Sequence, residues 1–425
     1  MKRLSYLAAV FALVAAAPAT AASVDAAATV RHVIGEKSYR AAASALDSGH
    51  DRWVDDIVTI TQIPSAPFKE QARAKAFSEM LRKRGLDATI DEEGNVLALR
   101  KGIEPGPAVV VSAHLDTVFP EGTDVTVKRD GTRLMAPGVG DDSAGLATLL
   151  ALVDAMNAGK VQTRSDILFV GTVGEEGLGD LRGVRYLFTK GAYQGRIRAF
   201  FSLDGSGLDG MTTGATGSKR YRVSFKGPGG HSYGAFGIVN PMVALANTVT
   251  DLYKIQVPAD PKTTYSASVV GGGTSVNAIP DNVWLEVDMR SASADELANL
   301  EKQFLAIVPR AVDAENAARS TQPGKISAEL KPIGDRPAGF TPPDAEIIRF
   351  AEAAYRAEGL TVEKDTSSTD SNIPMSLGIP AVTMSRVAEG GRAHAPDEWI
   401  DVRKAPNVKL KRILLSTILA TAGVR

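Results

Sequence analysis

An α/β fold, one mixed main sheet interrupted by a smaller α+β unit, is what this sequence predicts. Three observations lead to it. Apolar runs such as Val109-Val110-Val111 and Ile167-Leu168-Phe169-Val170 alternate with helical patterns, as in sheets covered by helices on both faces. Those runs stop at acidic or imidazole clusters, and in such sheets ligands sit beyond the carboxyl ends of the strands. From Tyr221 the pattern becomes β-α-β-β-α-β, the ferredoxin-like split motif.

Residues 1–22 read as a signal peptide. Lys2 and Arg3 lead an apolar run over 4–17, and Ala19-Thr20-Ala21 supplies a small-x-small cleavage pattern. The run falls short of the roughly 20 residues that span a bilayer, so no stable membrane anchor is expected. The mature chain is placed in the periplasm or outside the cell. Residues 27–47, 51–62 and 68–84 have helical spacing, and Gly85 stops the third stretch. A hairpin over 88–90 and 96–99 follows. Next come strand 108–113, helix 143–158, strand 166–172, helix 181–190 and strand 198–203, the alternation that the main sheet requires.

The α+β unit reads as strand 221–226, helix 239–254, strands 264–270 and 282–289, helix 294–308 and strand 325–331. Helix 343–358, strands 361–364 and 380–384 and helix 406–421 return to the first pattern. The expected division is therefore 23–218, an insert over 219–331, and 332–425; 425 residues exceed what one simple core holds. A net charge of -1 argues against nucleic-acid or anionic-membrane partners, both of which call for a basic excess. The chain has no cysteine, so any metal must be held by His, Asp and Glu.

The chemistry gathers at strand ends. His114 closes the 108–113 run, and Asp116, two residues on, shares its face while Leu115 turns to the core. Asp141 and Asp142 lie in a Gly-flanked turn before a helix. The bland reading is an N-cap, which Asp142 or Ser143 satisfies, leaving Asp141 free to bridge two ions. Glu175 and Glu176 follow the 166–172 strand. A solvated pair is the bland alternative, but neighbouring side chains in an extended segment diverge, which suits one metal ligand and one general base. Asp204 follows another apolar run, and His394 sits in the turn-rich stretch 392–398. His32 and His50, in polar helical surroundings, read as surface residues. Gly205-Ser206-Gly207-Leu208-Asp209-Gly210 matches a dinucleotide fingerprint, yet Met211-Thr212-Thr213-Gly214 starts no helix, so that reading fails.

The strings SAHLDTV, GVGDDSAGLA, GTVGEEGLGD, SLDG, GPGGHS, GGTSVNAIPD, DMR and RAHAPDEW, in this order, resemble the di-zinc metallopeptidases of family M20. That family includes aminoacylase, acetylornithine deacetylase, succinyl-diaminopimelate desuccinylase, glutamate carboxypeptidase and tripeptide aminopeptidase. The resemblance implies a zinc-exopeptidase-like catalytic domain with an inserted lid and dimerisation domain. It implies His114 and Asp204 on one divalent ion, Glu176 and His394 on the other, and Asp141 between them. The ions would be Zn2+, with Co2+ or Mn2+ as alternatives. It further implies Glu175 as general base, Asp116 orienting His114, and His231 reaching a partner's site in a homodimer. Asn277 and Arg290 would hold a substrate carboxylate, and Thr369 would line the pocket beside Asp370. A salt bridge to a lid helix is the bland reading of Arg290. Ser143 stands where many members carry Lys.

The expected activity is hydrolysis of amide bonds in small peptides or N-acyl amino acids. Two alternatives stand beside it: an aminopeptidase of the tripeptidase type, and a non-catalytic extracytoplasmic binder of peptide or metal. Retention of Glu175 beside a full ligand set weighs against the binder, since binding needs no base.

Overall fold

The computed structural model describes residues 24–425, so the expected signal peptide lies outside the described residues. Its largest sheet has nine strands. In spatial order they are Ala88–Ile90, Val96–Arg100, Ile167–Thr172, Ala108–His114, Ile197–Leu203, Ala381–Met384, Gly210–Ala215 and Gly339–Phe340, with Glu363–Ser367 also paired to Gly210–Ala215. The central four are parallel and the flanking pairs are mostly antiparallel, so the sheet is mixed as expected.

Alternation along the central strand shows how the layers form. Val109, Val111 and Ala113 join a core with the helices Ser143–Ala158 and Lys404–Ala422, whereas Val110 joins Leu168, Val170 and the helix Arg182–Thr189 on the other face. Both faces are covered, which is why every residue of the strand is buried and its valines follow one another rather than alternating with polar residues.

The inserted elements have a core of their own. Strands Gly217–Lys226, Thr263–Gly272, Asn282–Ser291 and Ser327–Arg336 form an antiparallel sheet in the order second, third, first, fourth. Helices Pro241–Leu252 and Ala294–Ala318 cover one face through Leu245, Leu297, Leu300 and Phe304. The first and last strands run across the expected limits at 218/219 and 331/332, because each continues as the connection to the main sheet. The second helix also runs on past Pro309, where the sequence suggested a stop. Burial of Val308, Ala311 and Val312 outweighs the hydrogen bond that a proline removes.

Two N-terminal expectations are corrected. The helix over 27–47 is two helices, Ala26–Gly35 and Lys37–Ser48, broken at an extended Glu36; the Arg40 guanidinium bonds the freed Gly35 carbonyl at 2.6 Å. His50 is not a surface residue. It shares the buried face of the helix His50–Thr61 with Trp53, Val54 and Ile57, and its Nε2 meets the Val402 carbonyl at 2.9 Å. His32 is exposed, as expected. Among the described residues no helix is long and apolar enough to cross a membrane.

One buried charge stands apart from the site. Lys411 is 1% exposed, its ammonium lies 3.6 Å from the Trp53 ring centroid, and it has no hydrogen-bond partner among the described residues. Burial pushes its pKa down to about 7. Unfolded chains hold this proton up to about pH 10.4, so between the two values the unfolded state binds more protons and stability rises with pH. The ring face recovers about 2 kcal/mol of the burial cost. Lys411→Met is expected to stabilise the chain by about 2 to 3 kcal/mol near pH 6 and by less near pH 9. Denaturant unfolding at both pH values checks this; equal effects at the two would refute it.

Candidate metal centre

The four parallel strands deliver the polar side chains to one edge of the sheet, and a short turn aims each of them. His114 is the last residue of its strand. Its Nδ1 donates to the main-chain carbonyl of Asp116 at 3.0 Å, which points Nε2 at Asp141 Oδ1, 2.9 Å away. Asp116 therefore orients the imidazole through its carbonyl; its carboxylate is 3.6 Å from Nδ1. That carboxylate accepts instead the amides of Glu175 and Glu176, at 3.0 and 2.8 Å. One buried aspartate thus ties two strand ends together.

The turn before helix Ser143–Ala158 is held by Glu398, whose carboxylate accepts the amides of Gly138, Gly140 and Asp141 at 2.9, 2.8 and 2.7 Å. Asp142 caps the helix by accepting from Gly145 at 3.1 Å, and its other oxygen accepts the His114 amide at 2.8 Å. A Cβ at Gly145 would lie 2.1 Å from Asp142 Oδ1, so the cap requires glycine there. Asp141 is left facing the centre. His394 comes from the loop between Gly390–Gly391 and Trp399–Asp401, and its Nε2 lies 2.9 Å from Glu176 Oε1 and 3.1 Å from Asp141 Oδ2.

The donor atoms of His114, Asp141 and Glu176 all lie within 4.8 Å of one another. A tetrahedral ion with bonds of about 2.0–2.1 Å has ligand-to-ligand edges of roughly 3.3 Å, so separations near 3 Å need open by only tenths of an ångström. All-N/O donors suit a borderline divalent ion. Asp204 lies at the same edge but is engaged by the buried Arg386 guanidinium.

Protonation follows the packing. Burial opposes charge on Asp141, but Arg386, His114 and His394 outweigh it and hold its carboxyl well below the usual range. Hydrogen bonds to Asp141 and Glu176 raise His394 to about 10. Glu175 goes the other way: burial, reinforced by the charge of Glu176, pushes it well up against the pull of Arg336. Arg336 Nη1 donates to Glu175 Oε1 at 3.2 Å, turning this carboxylate away from the ligand group.

A 460 Å³ cavity opens over the centre, lined by Asp141, Glu175, Glu176, Asp204 and His394 together with Arg220, Arg290 and Thr369. Asp288 accepts from the Nε atoms of Arg220 and Arg290, so it braces both against the cavity. That partner, on the same strand as Arg290, replaces the lid-helix salt bridge of the bland reading. Asp370 is buried beneath, bonded to Thr172. His231 and Asn277 are not brought to this cavity. They sit at the small ladder of Gly230–His231 with Ala278–Ile279, where both are exposed. The Gly205–Gly210 stretch runs into a strand and starts no helix.

Three residues with central contacts escaped the sequence reading: Arg336, Arg386 and Glu398. Glu398 lies inside the string RAHAPDEW, which is a signal of a kind. The two arginines have none, since each pairs with acids more than 150 positions away.

The pattern that defines peptidase family M20/M25/M40 matches residues 110–417. A LysW-lysine hydrolase from Deinococcus radiodurans is 26% identical over 350 residues, 80% of this chain and 89% of the relative. Relatives from Pyrococcus abyssi, Thermococcus kodakarensis and Pyrococcus furiosus are 30%, 32% and 28% identical, but the chain spans less than half of their length, 42% to 45%. Among solved structures, a tripeptidase from Staphylococcus aureus has a TM-score of 0.70 at 20% identity, covering 87% of this chain and 98% of that one. YXEP of Bacillus subtilis, described as a dinuclear metal-binding peptidase, has a TM-score of 0.63 at 17% identity, covering 88% and 99%. These likenesses establish a shared fold.

Proposed function

Since the chain belongs to peptidase family M20/M25/M40 and is a hydrolase of that family, we propose that it cleaves amide bonds of small peptides or N-acyl amino acids with Glu175 as general base. The observation that carries this is the split between two neighbouring glutamates. Glu176 lies within the ligand group, while Glu175 faces the same cavity outside it, held by Arg336. His114, Asp141, Asp204, Glu176 and His394 would hold two divalent ions, Zn2+ or else Co2+ or Mn2+. Such ions, when bound, lower the pKa of water and polarise the scissile carbonyl. Glu175 takes the proton of the attacking water and delivers it to the departing amine. Its raised pKa favours that second transfer, and the two amides donated to Asp116 fix its position.

Arg290 supports recognition of a substrate carboxylate, because its Nε is bound to Asp288 while the rest of its planar fork is available to the cavity. A panel of dipeptides and N-acyl amino acids, free or amidated at the C-terminus, tests this with released amine as readout. Amidation, or Arg290→Ala, is expected to raise KM about 10- to 100-fold with little change in kcat. Preference for a free N-terminus instead would favour the aminopeptidase reading; hydrolysis of nothing in the panel would favour the binder.

A homodimer through the inserted unit is supported by its exposed apolar side chains: Tyr233, Phe236 and Val276, close in sequence to His231 and Asn277, and Val269 and Val270 on the strand Thr263–Gly272. In such a dimer His231 of the partner subunit would stabilise the oxyanion, and Asn277 would stand beside it. Mixing Glu175→Gln chains with His231→Ala chains is then expected to restore about a quarter of wild-type activity, from one intact site in each mixed dimer. No recovery, or a monomer in solution, would end this part of the proposal. The N-terminal segment leads us to place the enzyme outside the cytoplasm.

A further inference from the structure

Arg386 is 4% exposed and stands two residues beyond the strand Ala381–Met384. That strand is the parallel neighbour of Ile197–Leu203, whose end carries Asp204. The two strand ends are laced together: the Asp204 amide donates to the Met384 carbonyl at 3.0 Å, and the Arg386 amide to the Gly205 carbonyl at 3.2 Å. The Thr148 hydroxyl, on the helix after the Asp141 turn, donates to the Arg386 carbonyl at 3.2 Å. Main-chain contacts on two sides therefore deliver this guanidinium to its place, and it is no surface side chain that happens to fold inward.

The guanidinium serves one side of the centre only. Its Nη1 contacts Asp204 Oδ1 and lies 3.5 Å from Asp141 Oδ1, the oxygen that faces His114; its Nε lies 3.5 Å from Asp142 Oδ1. On the other side, Asp141 Oδ2 and Glu176 Oε1 meet His394, and among the described residues no lysine or arginine pairs with either. An arginine cannot shed its proton, so its charge stays whatever ion arrives.

We propose that Arg386 is a built-in cation that makes the two halves of the centre unequal: the Glu176–His394 half binds a divalent ion tightly, and the His114–Asp204 half binds one far more weakly. An ion in the second half would share Asp204 with the guanidinium and face a like charge in a buried, poorly screened setting. Arg386 is thus a positioning residue that tunes metal occupancy, and occupancy of the weaker half follows the free metal concentration. This rests on the metal reading above.

The test is a Co2+ titration of the metal-free full chain, followed by visible absorption and by calorimetry. Two dissociation constants about a hundredfold apart are expected. In Arg386→Met they should come within about tenfold of each other, by tightening of the weaker one, while Arg386→Lys keeps the charge and should keep the gap. Two equal constants in the wild type would overturn the proposal. So would a gap unchanged in Arg386→Met, or loss of the weaker ion there. Should that variant not fold, Asp204→Asn is expected to abolish the weak ion and spare the tight one, and the reverse would equally refute it. A chain that binds no Co2+ removes the metal reading as well, whereas two equal ions removes only this inference.

Discussion

Glu175→Gln is expected to lower kcat about 1,000-fold while leaving metal content and fold unchanged. Glutamine keeps the shape, and its amide oxygen can still accept from Arg336, but it cannot take a proton from water. The main-chain bonds that place residue 175 run through its amide to Asp116, and the substitution does not touch them. Metal analysis beside steady-state kinetics checks the result. Loss of metal together with activity would show that Glu175 is a ligand and not a base. A companion variant reads the same carboxylate by pH. Burial and the Glu176 charge raise its pKa, and Arg336 opposes them. The base works when deprotonated, so activity falls as pH drops through that raised value. Arg336→Met, which removes the opposing cation, is expected to move the acid limb of the kcat/KM profile to higher pH.

Asp141→Asn is expected to fail differently, losing metal and at least about 1,000-fold in activity together. Both oxygens of Asp141 are in use: Oδ1 lies 2.9 Å from His114 and Oδ2 lies 3.1 Å from His394. Asparagine removes the negative charge and replaces one acceptor with a donor, so one half of the centre loses its ligand oxygen and the other keeps only a neutral one. Without the carboxylate, the two imidazoles lose the one acid that both of them contact. Metal content of the purified variant and its thermal stability with and without added Zn2+ make the measurement. A variant that kept full metal content would refute the bridging role.

Much of the site was legible because it is assembled from local units. A mainly apolar run is a buried strand, and the charged or imidazole residues at or just past its end stand at the sheet edge, so His114, Glu175, Glu176 and Asp204 are placed there without knowledge of their neighbours. Asp142 as helix cap was legible for a similar reason, since capping depends on residues three apart. His50 departs from its expected surface position because Trp53 and Ile57 mark the helix face that turns inward, and a titratable ring on that face is buried with them. Spacing along the strand puts Asp116 on the face of His114, but the choice between its carbonyl and its carboxylate depends on the Glu175 and Glu176 amides arriving from another strand.

What the amino-acid order determined unaided was the layering of the chain and the set of side chains available at one edge of its sheet, because period-two burial and turn chemistry act over a few residues. Tertiary structure alone decided which acid meets which cation. Arg336 reaches Glu175, Arg386 reaches Asp204, and Glu398 holds the Asp141 turn across separations of well over a hundred residues. Charge pairing is set by distance in space, and nothing in a residue's immediate neighbours along the chain records what the fold will bring beside it.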